Sequence, residues 1–485
     1  MYTRRKTHPV RVGNTIIGGN NSVVIQTMTN TPTLDTEATV QQIVRCVDSG
    51  ASIVRMTAQG VSHARNLAEI RKALEKQGVK VDLVADIHFN PAAAFEAALH
   101  VEKVRINPGN FVDPGRVFKK IEYTDDEYRA ELERLRLAFE PFLELCRENK
   151  TAIRIGVNHG SLSDRIMSRY GDTPEGMVES AMEFLRIAKV NGFDDIVISI
   201  KASNVIVMNR TVRLMVKTMQ AEDMDFPLHL GVTEAGDGED GRVKSAVGIG
   251  SLLADGIGDT IRVSLSEPPE NEIPVARQIL RHIERIASGA KYSTLDEYDK
   301  SGENVLQPYV LGLDTEKQSG RLLRVSYPES WDAETVTIAA SIDLGRILLT
   351  EEIVDGIEIN APGVDSSALH SLALSIQQAT RRRISHTEYV ACPGCGRTLF
   401  DLQTTLSRVR EATNHLKGLK IGVMGCIVNG PGEMADADYG YVGGAKDCVS
   451  LYRGHTCVVK NIPTADAIDA LINIIKEDGR WVDPE

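Results

Sequence analysis

Three cysteines near the C-terminus have a spacing that metal and redox sites use. Cys392 and Cys395 form a C-x2-C pair in ACPGCGRTLFDL, and Cys426 follows in GCIVNGPGEMADADY. A C-x2-C pair is typical of a zinc site or of a redox pair. A zinc site also needs a fourth N or S ligand. Cys448 and Cys457 could supply it, although neither forms a second C-x2-C pair with Cys426.

A carboxylate near Cys426 offers a different set of ligands. Three thiolates with one weaker ligand suit an iron–sulfur cluster that has one exchangeable iron. Glu433 follows Cys426 beyond a turn rich in glycine and proline, and it could supply an oxygen ligand. The alternative is that Glu433 is an ordinary surface carboxylate. The C-x3-C-x2-C spacing of radical-initiating enzymes is absent.

Cations lie at the ends of apolar, β-branched segments further upstream. They are Arg55, Arg105, Arg154, Lys201 and Arg262. A strand buried on both faces carries an arginine only where its charge is paired or bound. A salt bridge explains any single one of them, but only Asp86 and Glu234 lie at comparable places. Because guanidinium groups bind phosphate bidentately, the surplus predicts a small substrate with more than one phosphate.

Polar residues accompany these cations on the same strand faces. Asn107, Asn158 and Ser264 each follow one of the arginines by two or four residues, so they share its face. Glu234 opens an acidic, glycine-rich loop, TEAGDGEDG, which is poorly suited to cradling phosphate. We consider Glu234 a candidate general acid or base, with a structural ion pair as the alternative.

The elements that would position these residues alternate between strand and helix. Eight apolar runs read as strands buried on both faces. These runs are Ser22–Met28, Ile53–Thr57, Val81–Ile87, Lys103–Pro108, Ala152–Val157, Asp195–Lys201, Pro227–Val232 and Thr260–Leu265. Helical patterns lie between them, for example at Ser62–Gly78 and Thr173–Gly192, and another at Asn271–Ile283 follows the last run. This layout predicts a (β/α)8 TIM barrel with an active site at the carboxyl ends of the strands. A doubly wound sheet is the alternative, but no G-x-G-x-x-G follows the first strand.

The rest of the chain divides into a long crossover helix and two further units. Asp125–Lys150 is predicted to be a solvated outer helix, and Gly289–Val325 a linker with little periodicity. A short α/β patch follows, with helices predicted at Ala333–Asp355 and Ser366–Thr380 and a strand at Gly356–Asn360. The predicted domains are a barrel (1–289), a short α/β insert (290–385) and a C-terminal α+β domain (386–485) with five of the seven cysteines.

Composition limits the class of protein. The 485 residues carry a formal charge of −12, which argues against a nucleic-acid-binding surface. The seven cysteines are too few and scattered for a secreted disulfide scaffold, so a reducing compartment is expected. The basic N-terminus is not followed by an apolar signal region, and no run is long enough to cross a membrane. We therefore expect a cytoplasmic protein with neither a nucleic-acid nor a membrane partner.

The chain resembles the 4-hydroxy-3-methylbut-2-enyl diphosphate synthase family over nearly its whole length. The resemblance rests first on the two cysteine segments and then on VRMT, LVADIHFN, VRINPGN, IRIGVNHGSLSDR, IKASN, LGVTEAG and IRVSL at the strand ends. It implies that Cys392, Cys395, Cys426 and Glu433 hold a [4Fe-4S] cluster. It also implies an enzyme of the methylerythritol phosphate route to isoprenoids, which opens the ring of 2-C-methyl-D-erythritol 2,4-cyclodiphosphate by a two-electron reduction and expels a hydroxyl.

The resemblance assigns roles to the residues at the strand ends. The five cations would hold the substrate diphosphate, helped by Asn107, Asn158 and Ser264. Asp86 also falls on an active-site position, and Glu234 is the expected proton donor near the reacting carbons. The family takes single electrons from a ferredoxin or a flavodoxin.

The segment before the cluster domain departs from the family's longer form. The crossover helix and the TEYV lead-in to Cys392 resemble the plant-type branch, which inserts an extra domain there, but residues 290–384 are too few for its full length. We therefore expect a shortened insert. In short bacterial relatives the cluster domain of one subunit closes over the barrel of the other. With an insert of intermediate length, closure within one chain and closure between two chains are both open. A homodimer is expected. The absence of a transit peptide favours a bacterial protein.

Two other functions fit the residues. One is a metal-independent barrel lyase or transferase that acts on a phosphorylated substrate, with the cysteines holding structural zinc. The other is an iron sensor or interaction module on an inactive barrel. The five cations argue against the second, because an inactive site has no reason to keep unpaired buried charge.

Overall fold

A closed ring of eight parallel strands forms the largest part of the molecule. The computed structural model describes residues 2–113, 122–299, 321–350, 354, 356–427, 430–434 and 436–484. The ring strands are β3 (Val24–Met28), β4 (Ile53–Thr57), β5 (Asp82–Asp86), β6 (Lys103–Ile106), β7 (Ala152–Asn158), β8 (Ile196–Lys201), β9 (His229–Leu230) and β10 (Thr260–Ile261). Each pairs in parallel with its neighbours, β10 pairs with β3, and a bridge between Ile198 and Leu228 joins β8 to β9. The predicted TIM barrel is confirmed.

A small hairpin closes the lower end of the ring. It consists of β1 (Val10–Val12) and β2 (Thr15–Ile17), paired antiparallel. Its apolar side chains Val10, Val12 and Ile17 pack with the lowest layer of inward-facing strand residues, such as Ile53 and Val84. Because apolar contacts fill this end, the barrel is open for a ligand only at the carboxyl ends of the strands.

Helices surround the ring at the places that the hydrophobic pattern predicts. They are α1 (Thr36–Ser49), α2 (Val61–Lys76), α3 (Pro91–Ala98), α4 (Asp125–Asn149), α5 (Asp164–Tyr170), α6 (Pro174–Val190), α7 (Val205–Ala221), α8 (Gly238–Ser245), α9 (Ser251–Ala254) and α10 (Glu272–Ser288). A π-helical turn joins α8 to α9, and a 3-10 turn precedes α10. The predicted outer helix is α4, which begins with a capping box of Thr124 and Glu127. Its buried face carries Phe139 and Phe142, so it packs on the barrel as well as facing solvent.

The segment after the barrel packs directly on it. It contains β11 (Thr294–Asp299), β12 (Arg321–Ser326), α11 (Ala333–Thr350), β13 (Gly356–Asn360) and α12 (Ser366–Ala379). The apolar faces of α11 and α12 belong to the same hydrophobic core as the barrel helices. The predicted linker is wrong where β11 and β12 lie, because β12 gains a parallel partner, β13, that is distant in the sequence. Residues 300–320 of that predicted linker, and the end of the predicted helix Ala333–Asp355 at residues 351–353 and 355, lie outside the described residues.

The C-terminal unit has its own sheet and its own core. Its elements are β14 (Glu388–Ala391), α13 (Leu402–Thr413), β15 (Lys420–Met424), α14 (Gly430–Glu433), β16 (Tyr439–Ala445), β17 (Cys448–Arg453), β18 (Thr456–Pro463) and α15 (Ala467–Glu477). β14, β15 and β16 are parallel, and β17 and β18 continue the sheet antiparallel. A separate apolar cluster lies between this sheet and the helices α13 and α15. The predicted C-terminal α+β unit is thus present, and the domain boundaries 1–289, 290–385 and 386–485 stay a prediction.

Candidate active site

A pocket lies between the carboxyl ends of the barrel strands and the C-terminal unit. Its cavity volume is about 100 Å³. The barrel contributes Met28, Arg55, Asp86, His88, Arg105, Arg154, Asn158, Lys201, Thr233, Glu234, Arg262 and Ser264. The C-terminal unit contributes Cys392, Pro393, Gly394, Cys395, Arg397, Met424, Gly425, Cys426, Gly430 and Glu433. One pocket therefore brings together both sets of residues that the sequence singles out.

Arg105 is held by an extended set of partners at the end of β6. Its guanidinium donates to Asp86 Oδ1 at 3.1 Å, to the Gly156 carbonyl at 2.9 Å and to Asn158 Oδ1 at 3.1 Å. A Cβ on Gly156 would come within 2.4 Å of Arg105 Nε, so only glycine leaves room for this side chain. Burial raises the pKa of Asp86, but the charges of Arg55 and Arg105 outweigh it and hold that pKa well below its usual range. Arg105 is thus a fixed charge.

Arg55, Arg154 and Lys201, three other cations of the pocket, have no carboxylate partner among the described residues. Arg55 donates to the Met28 sulfur at 2.9 and 3.1 Å, and Arg154 contacts Nδ1 of His229 at 3.2 Å. Burial, with the neighbouring arginines, lowers the pKa of Arg55 to about 10 and the pKa of Arg154 and of Lys201 well below their usual values. Among the described residues, no carboxylate lies within ion-pair distance of any of the three. Buried, mutually repelling cations of this kind gain stability from an anion that binds among them.

Arg262 lines the pocket but already has a partner. Its guanidinium forms a two-point ion pair with Glu272, at 3.0 and 2.8 Å. Thr27 Oγ1 donates to the same carboxylate at 2.8 Å. For Arg262, the alternative explanation of a buried cation, a structural salt bridge, therefore holds at least in part. Ser264, its predicted neighbour, is buried and lines the pocket.

Asn107 is the one predicted site residue that does not line the pocket. Its amide donates to Ser161 Oγ at 3.0 Å, and its side-chain oxygen accepts from the Gly109 N–H at 3.0 Å. It is buried and holds the loop after β6 against the loop after β7. The alternation of residues along a strand predicts which face Asn107 lies on, but it does not predict the turn that follows. Here the loops after β6 and β7 use both the amide nitrogen and the amide oxygen of Asn107 in hydrogen bonds.

Two carboxyl groups from different units face each other in the pocket. Glu433 Oε1 accepts from Asn158 Nδ2 at 2.6 Å, and the carboxyl of Glu433 lies against that of Glu234. Burial raises the pKa of both, and the charge of Glu234 raises that of Glu433 further. Two buried carboxyls in contact titrate as a coupled pair, so one proton is held between them more readily than none. A chain of hydrogen bonds thus runs from Asp86 through Arg105 and Asn158 to Glu433.

The cysteine side chains converge on the same pocket from the turns after β14 and β15. The Gly425 N–H donates to the Cys392 sulfur at 3.2 Å, a contact that stabilises a thiolate. Burial raises the pKa of the Cys392 thiol, and the neighbouring Cys426 and Cys395 raise it further. Deprotonating buried thiols that lie close together costs free energy, and a bound metal cation offsets this cost because it neutralises the thiolate charge. The pocket position of Cys392, Cys395 and Cys426 beside Glu433 therefore fits a thiolate-held metal cofactor.

Among the described parts of the chain, the side chains as they stand form no group of three or more cysteine, histidine or acidic residues that could hold a single metal ion. The donor types, three thiols and one carboxyl, are those that either a zinc site or an iron–sulfur cluster can use.

The C-terminal unit closes over the barrel of its own chain. A bridge pairs Ala235 with Ala391, and Lys244 Nζ donates to the Tyr389 carbonyl at 3.0 Å. Gly160 and Gly432 meet backbone to backbone, because a Cβ on Gly432 would come within 2.5 Å of the Gly160 carbonyl. All of these contacts are formed within one chain, so the pocket has both of its walls without a second subunit.

The acidic loop after β9 is part of this closure. Asp237 pairs with Arg410 at 2.6 Å, and Asp240 pairs with His386 at 3.4 Å. Glu239 accepts from Ser375 of α12 at 2.9 Å. The loop therefore joins the barrel to both later units, which explains an acidic sequence beside a pocket lined with cations.

Several pocket residues are absent from the sequence-based prediction. His88, Thr233 and Arg397 line the cavity, as do Met28 and Met424. His88 lies two residues past the end of β5, and Arg397 lies two residues beyond the C-x2-C pair, so position in a motif is the signal that identifies both. The two methionines carry no such signal, because methionine is an ordinary core residue.

Fold and site together define a class of protein. It is a TIM barrel whose open end presents buried cations to an anionic molecule, and a second unit of the same chain brings thiols and a carboxylate to that molecule. None of the helices that the structure describes is long and apolar enough to cross a membrane.

Comparison with known proteins identifies the family. The GcpE TIM-barrel domain matches residues 7–277, and the GcpE protein C-terminal domain matches residues 388–477. Proteins named 4-hydroxy-3-methylbut-2-en-1-yl diphosphate synthase (flavodoxin) are 46% identical in Parabacteroides distasonis, with 99% of each chain covered, and 43% identical in Akkermansia muciniphila, with 100% of this chain and 98% of the relative covered. This chain belongs to the 4-hydroxy-3-methylbut-2-en-1-yl diphosphate synthase family.

The alignments also bear on the length of the insert. The alignment with the Parabacteroides distasonis protein runs over 606 positions, whereas this chain has 485 residues. The two family domains leave residues 278–387 between them unmatched. The gaps in the alignment are not located by these observations, so the shortened insert stays a prediction. Among solved structures, Burkholderia cenocepacia dihydropteroate synthase covers 58% of this chain and 98% of its own at a TM-score of 0.40 and 12% identity, a likeness too slight to carry an inference.

Proposed function

We propose that this chain reduces 2-C-methyl-D-erythritol 2,4-cyclodiphosphate to 4-hydroxy-3-methylbut-2-enyl diphosphate in isoprenoid biosynthesis. The reaction opens the cyclodiphosphate ring, consumes two electrons with protons, and releases a hydroxyl as water. Membership of the family supports the reaction. The observation that supports this chemistry is that one pocket joins three barrel cations, which have no ion-pair partner among the described residues, to three cysteines and Glu433.

The barrel side of the pocket binds and orients the substrate. We assign the diphosphate to Arg55, Arg154 and Lys201, because these buried cations lack carboxylate partners among the described residues. Arg105, Arg262 and Ser264 extend this site, with Asp86 holding Arg105 in place. Asn107 supports the adjacent loop instead of touching the substrate.

The C-terminal unit holds a [4Fe-4S] cluster through Cys392, Cys395, Cys426 and Glu433. When bound, such a cluster supplies a Lewis-acid iron and single electrons to a C–O bond that no neighbouring carbonyl activates. Glu433 is the weakest of the four ligands, and Asn158 orients its carboxyl toward the barrel. Glu234 holds a proton at its carboxyl oxygen next to the bound substrate, and the closed walls exclude bulk water from it.

The electron donor follows from the names of the relatives. The similar proteins of Parabacteroides distasonis and Akkermansia muciniphila are named for flavodoxin, so we assign flavodoxin rather than ferredoxin as the donor of single electrons. A cytoplasmic location and a homodimer remain part of this proposal.

An anaerobic assay tests the function. Purified without oxygen, the protein should contain about four iron and four sulfide per chain. It should convert the cyclodiphosphate when a one-electron reductant is present, and faster with reduced flavodoxin than with ferredoxin. A colourless protein with one zinc and no turnover would instead support a lyase or transferase with structural zinc.

Glu433 separates assembly of the cofactor from turnover. Glu433→Ala should leave most of the cluster in place, because three thiolates remain, but should lose most of the activity. Glu411→Ala, on the exposed face of α13, is the matched control and should behave as the unmodified protein. Unchanged activity in Glu433→Ala would remove Glu433 from the mechanism.

A further inference from the structure

Arg397 enters the pocket from the C-terminal unit on a tight turn. The Cys395 N–H donates to Thr398 Oγ1 at 3.0 Å, and the Thr398 N–H donates to the Cys395 carbonyl at 2.9 Å. These two bonds fix the backbone on either side of Arg397. Its side chain must therefore leave the turn in one direction, toward the pocket that it lines.

The same turn is seated on the barrel. Gln59 Nε2 donates to the Gly396 carbonyl at 3.4 Å. A Cβ on Gly396 would come within 2.8 Å of both the Thr31 carbonyl and Thr57 Oγ1, so the turn lies directly on the loop after β3 and on the end of β4. The position of Arg397 thus depends on the closed arrangement of the two units.

The guanidinium of Arg397 lies between the cysteines and the barrel charges. It is in hydrogen-bonding contact with Cys395, and its charge also acts on Cys426 and Asp86. His88 and Arg105 lie within reach of the same charge. Arg397 Nε is buried and has no hydrogen-bond partner in the described part of the chain. A cation thus lies beside the sulfur atoms, with its Nε shielded from solvent and the residue as a whole partly buried.

We propose that Arg397 is a positioning residue whose charge, placed against Cys395 by closure of the two units, makes the iron–sulfur cluster easier to reduce. This inference rests on the proposed function, because it assumes that Cys395 is a ligand. Reduction adds one negative charge to the cluster, and a cation held close by in a medium of low dielectric constant stabilises the reduced form. The electron comes from reduced flavodoxin, whose flavin loses one electron, and no bond forms or breaks in this step.

A redox titration of the substrate-free holoenzyme tests this role. Arg397→Gln should lower the midpoint potential by the equivalent of a tenfold change in the reduction equilibrium, about 59 mV for one electron. Arg397→Lys keeps the charge and should stay close to the unmodified protein. Arg408→Gln removes an exposed arginine from α13 of the same unit, and should leave the potential unchanged. The signal of the reduced cluster is followed by electron paramagnetic resonance, which reports only loaded protein.

Each outcome decides the inference. An unchanged potential in Arg397→Gln overturns it, as does an equal fall in Arg408→Gln, which would point to the total charge of the unit. If Arg397→Gln holds no cluster, Arg397→Lys decides: a potential equal to that of the unmodified protein supports the role of the charge, and a large fall contradicts it. Failure of the unmodified holoenzyme to turn over the cyclodiphosphate would instead contradict the proposed function.

Discussion

The two walls of the pocket are built from different kinds of backbone. On the barrel wall the polar groups lie on strands whose neighbours are hydrogen-bonded on both sides, and two of the cations, Arg105 and Arg262, are paired with carboxylates. On the opposite wall the cysteines and Glu433 lie on turns and on one short helix, which touch the barrel through backbone groups. The anion site that we propose for the barrel wall therefore does not depend on the C-terminal unit, whereas the other wall depends on contacts between the two units.

This difference separates binding from turnover. Affinity for diphosphate should belong to barrel charges that stay in place when the C-terminal unit is disturbed. Turnover should require both walls, because it needs the cysteine-bearing turns to lie correctly over the bound substrate. Four predictions can break or sharpen this contrast.

The largest effect is expected for the paired cation of the barrel wall. Arg262→Met leaves the buried Glu272 carboxylate without its partner, which should lower the free energy of unfolding by about 3–5 kcal/mol. Thermal unfolding followed by circular dichroism should show a fall in Tm of roughly 3–5 °C. Arg55→Met is the matched comparison. Arg55 has no ion-pair partner among the described residues, so its removal leaves no carboxylate unpaired there and should lower Tm far less. Equal losses in the two variants would show that the ion pair is not what stabilises this wall.

Arg55, one of the three pocket cations with no ion-pair partner among the described residues, should matter for the binding of diphosphate. Arg55→Met should weaken the binding of inorganic diphosphate about 30-fold, or about 2 kcal/mol, because charge-assisted hydrogen bonds are lost. Isothermal titration calorimetry measures this loss, and the cluster content should not change. Arg65→Met, at an exposed position of α2, serves as the control. Binding that survives in Arg55→Met would move the anion elsewhere in the pocket.

The contact of Gly160 with Gly432, which we call the seam between the two walls, is tested at Gly432. A Cβ there would come within 2.5 Å of the Gly160 carbonyl, so Gly432→Ala should push the two loops apart and move Glu433 from Asn158. We expect kcat to fall about tenfold with diphosphate binding unchanged. Gly60→Ala, where a Cβ would meet nothing closer than 3.7 Å, is the control. A loss of binding together with kcat would mean that the two walls do not act separately.

The smallest effect concerns the ion pair at the edge of the seam. Asp237 and Arg410 are each about one quarter exposed, so their pairing should contribute only about 0.5 kcal/mol. Asp237→Asn and Arg410→Gln should each lower kcat/KM about twofold, and the double variant should fall no further. Additive losses would show that the two residues act independently.

The sequence predicts the barrel well because the signal for it is local. Ile53–Thr57 and Lys103–Ile106 are strands at the places where β-branched runs occur, and α4 begins at Asp125 as its pattern predicts. β11 and β12 are missed, because β12 takes a parallel partner, β13, that lies beyond α11. The local sequence predicts a strand well only when most of the strand's stability comes from burial of its own side chains and not from its pairing partner.

The sequence predicts which residues belong to the candidate site better than it predicts which of them contact each other. The spacing of Cys392, Cys395 and Cys426 and the arginines at the strand ends identify side chains that line one pocket. The pairing of Arg262 with Glu272 is not visible in the sequence, since both are ordinary charged residues on neighbouring elements. The turn that takes up Asn107 is likewise set by Ser161, which belongs to another loop.

The sequence by itself determined the repeating strand and helix, the strand ends at which the cations lie, and the cysteine spacing of the second wall. These follow from the twofold period of a strand and from the order of residues along the chain. Only the tertiary structure decided that the C-terminal unit covers the barrel of its own chain, that Glu433 meets Asn158, and that Arg397 lies against Cys395. Such contacts join elements distant in the sequence, and they arise from the packing of whole surfaces, which no local pattern encodes.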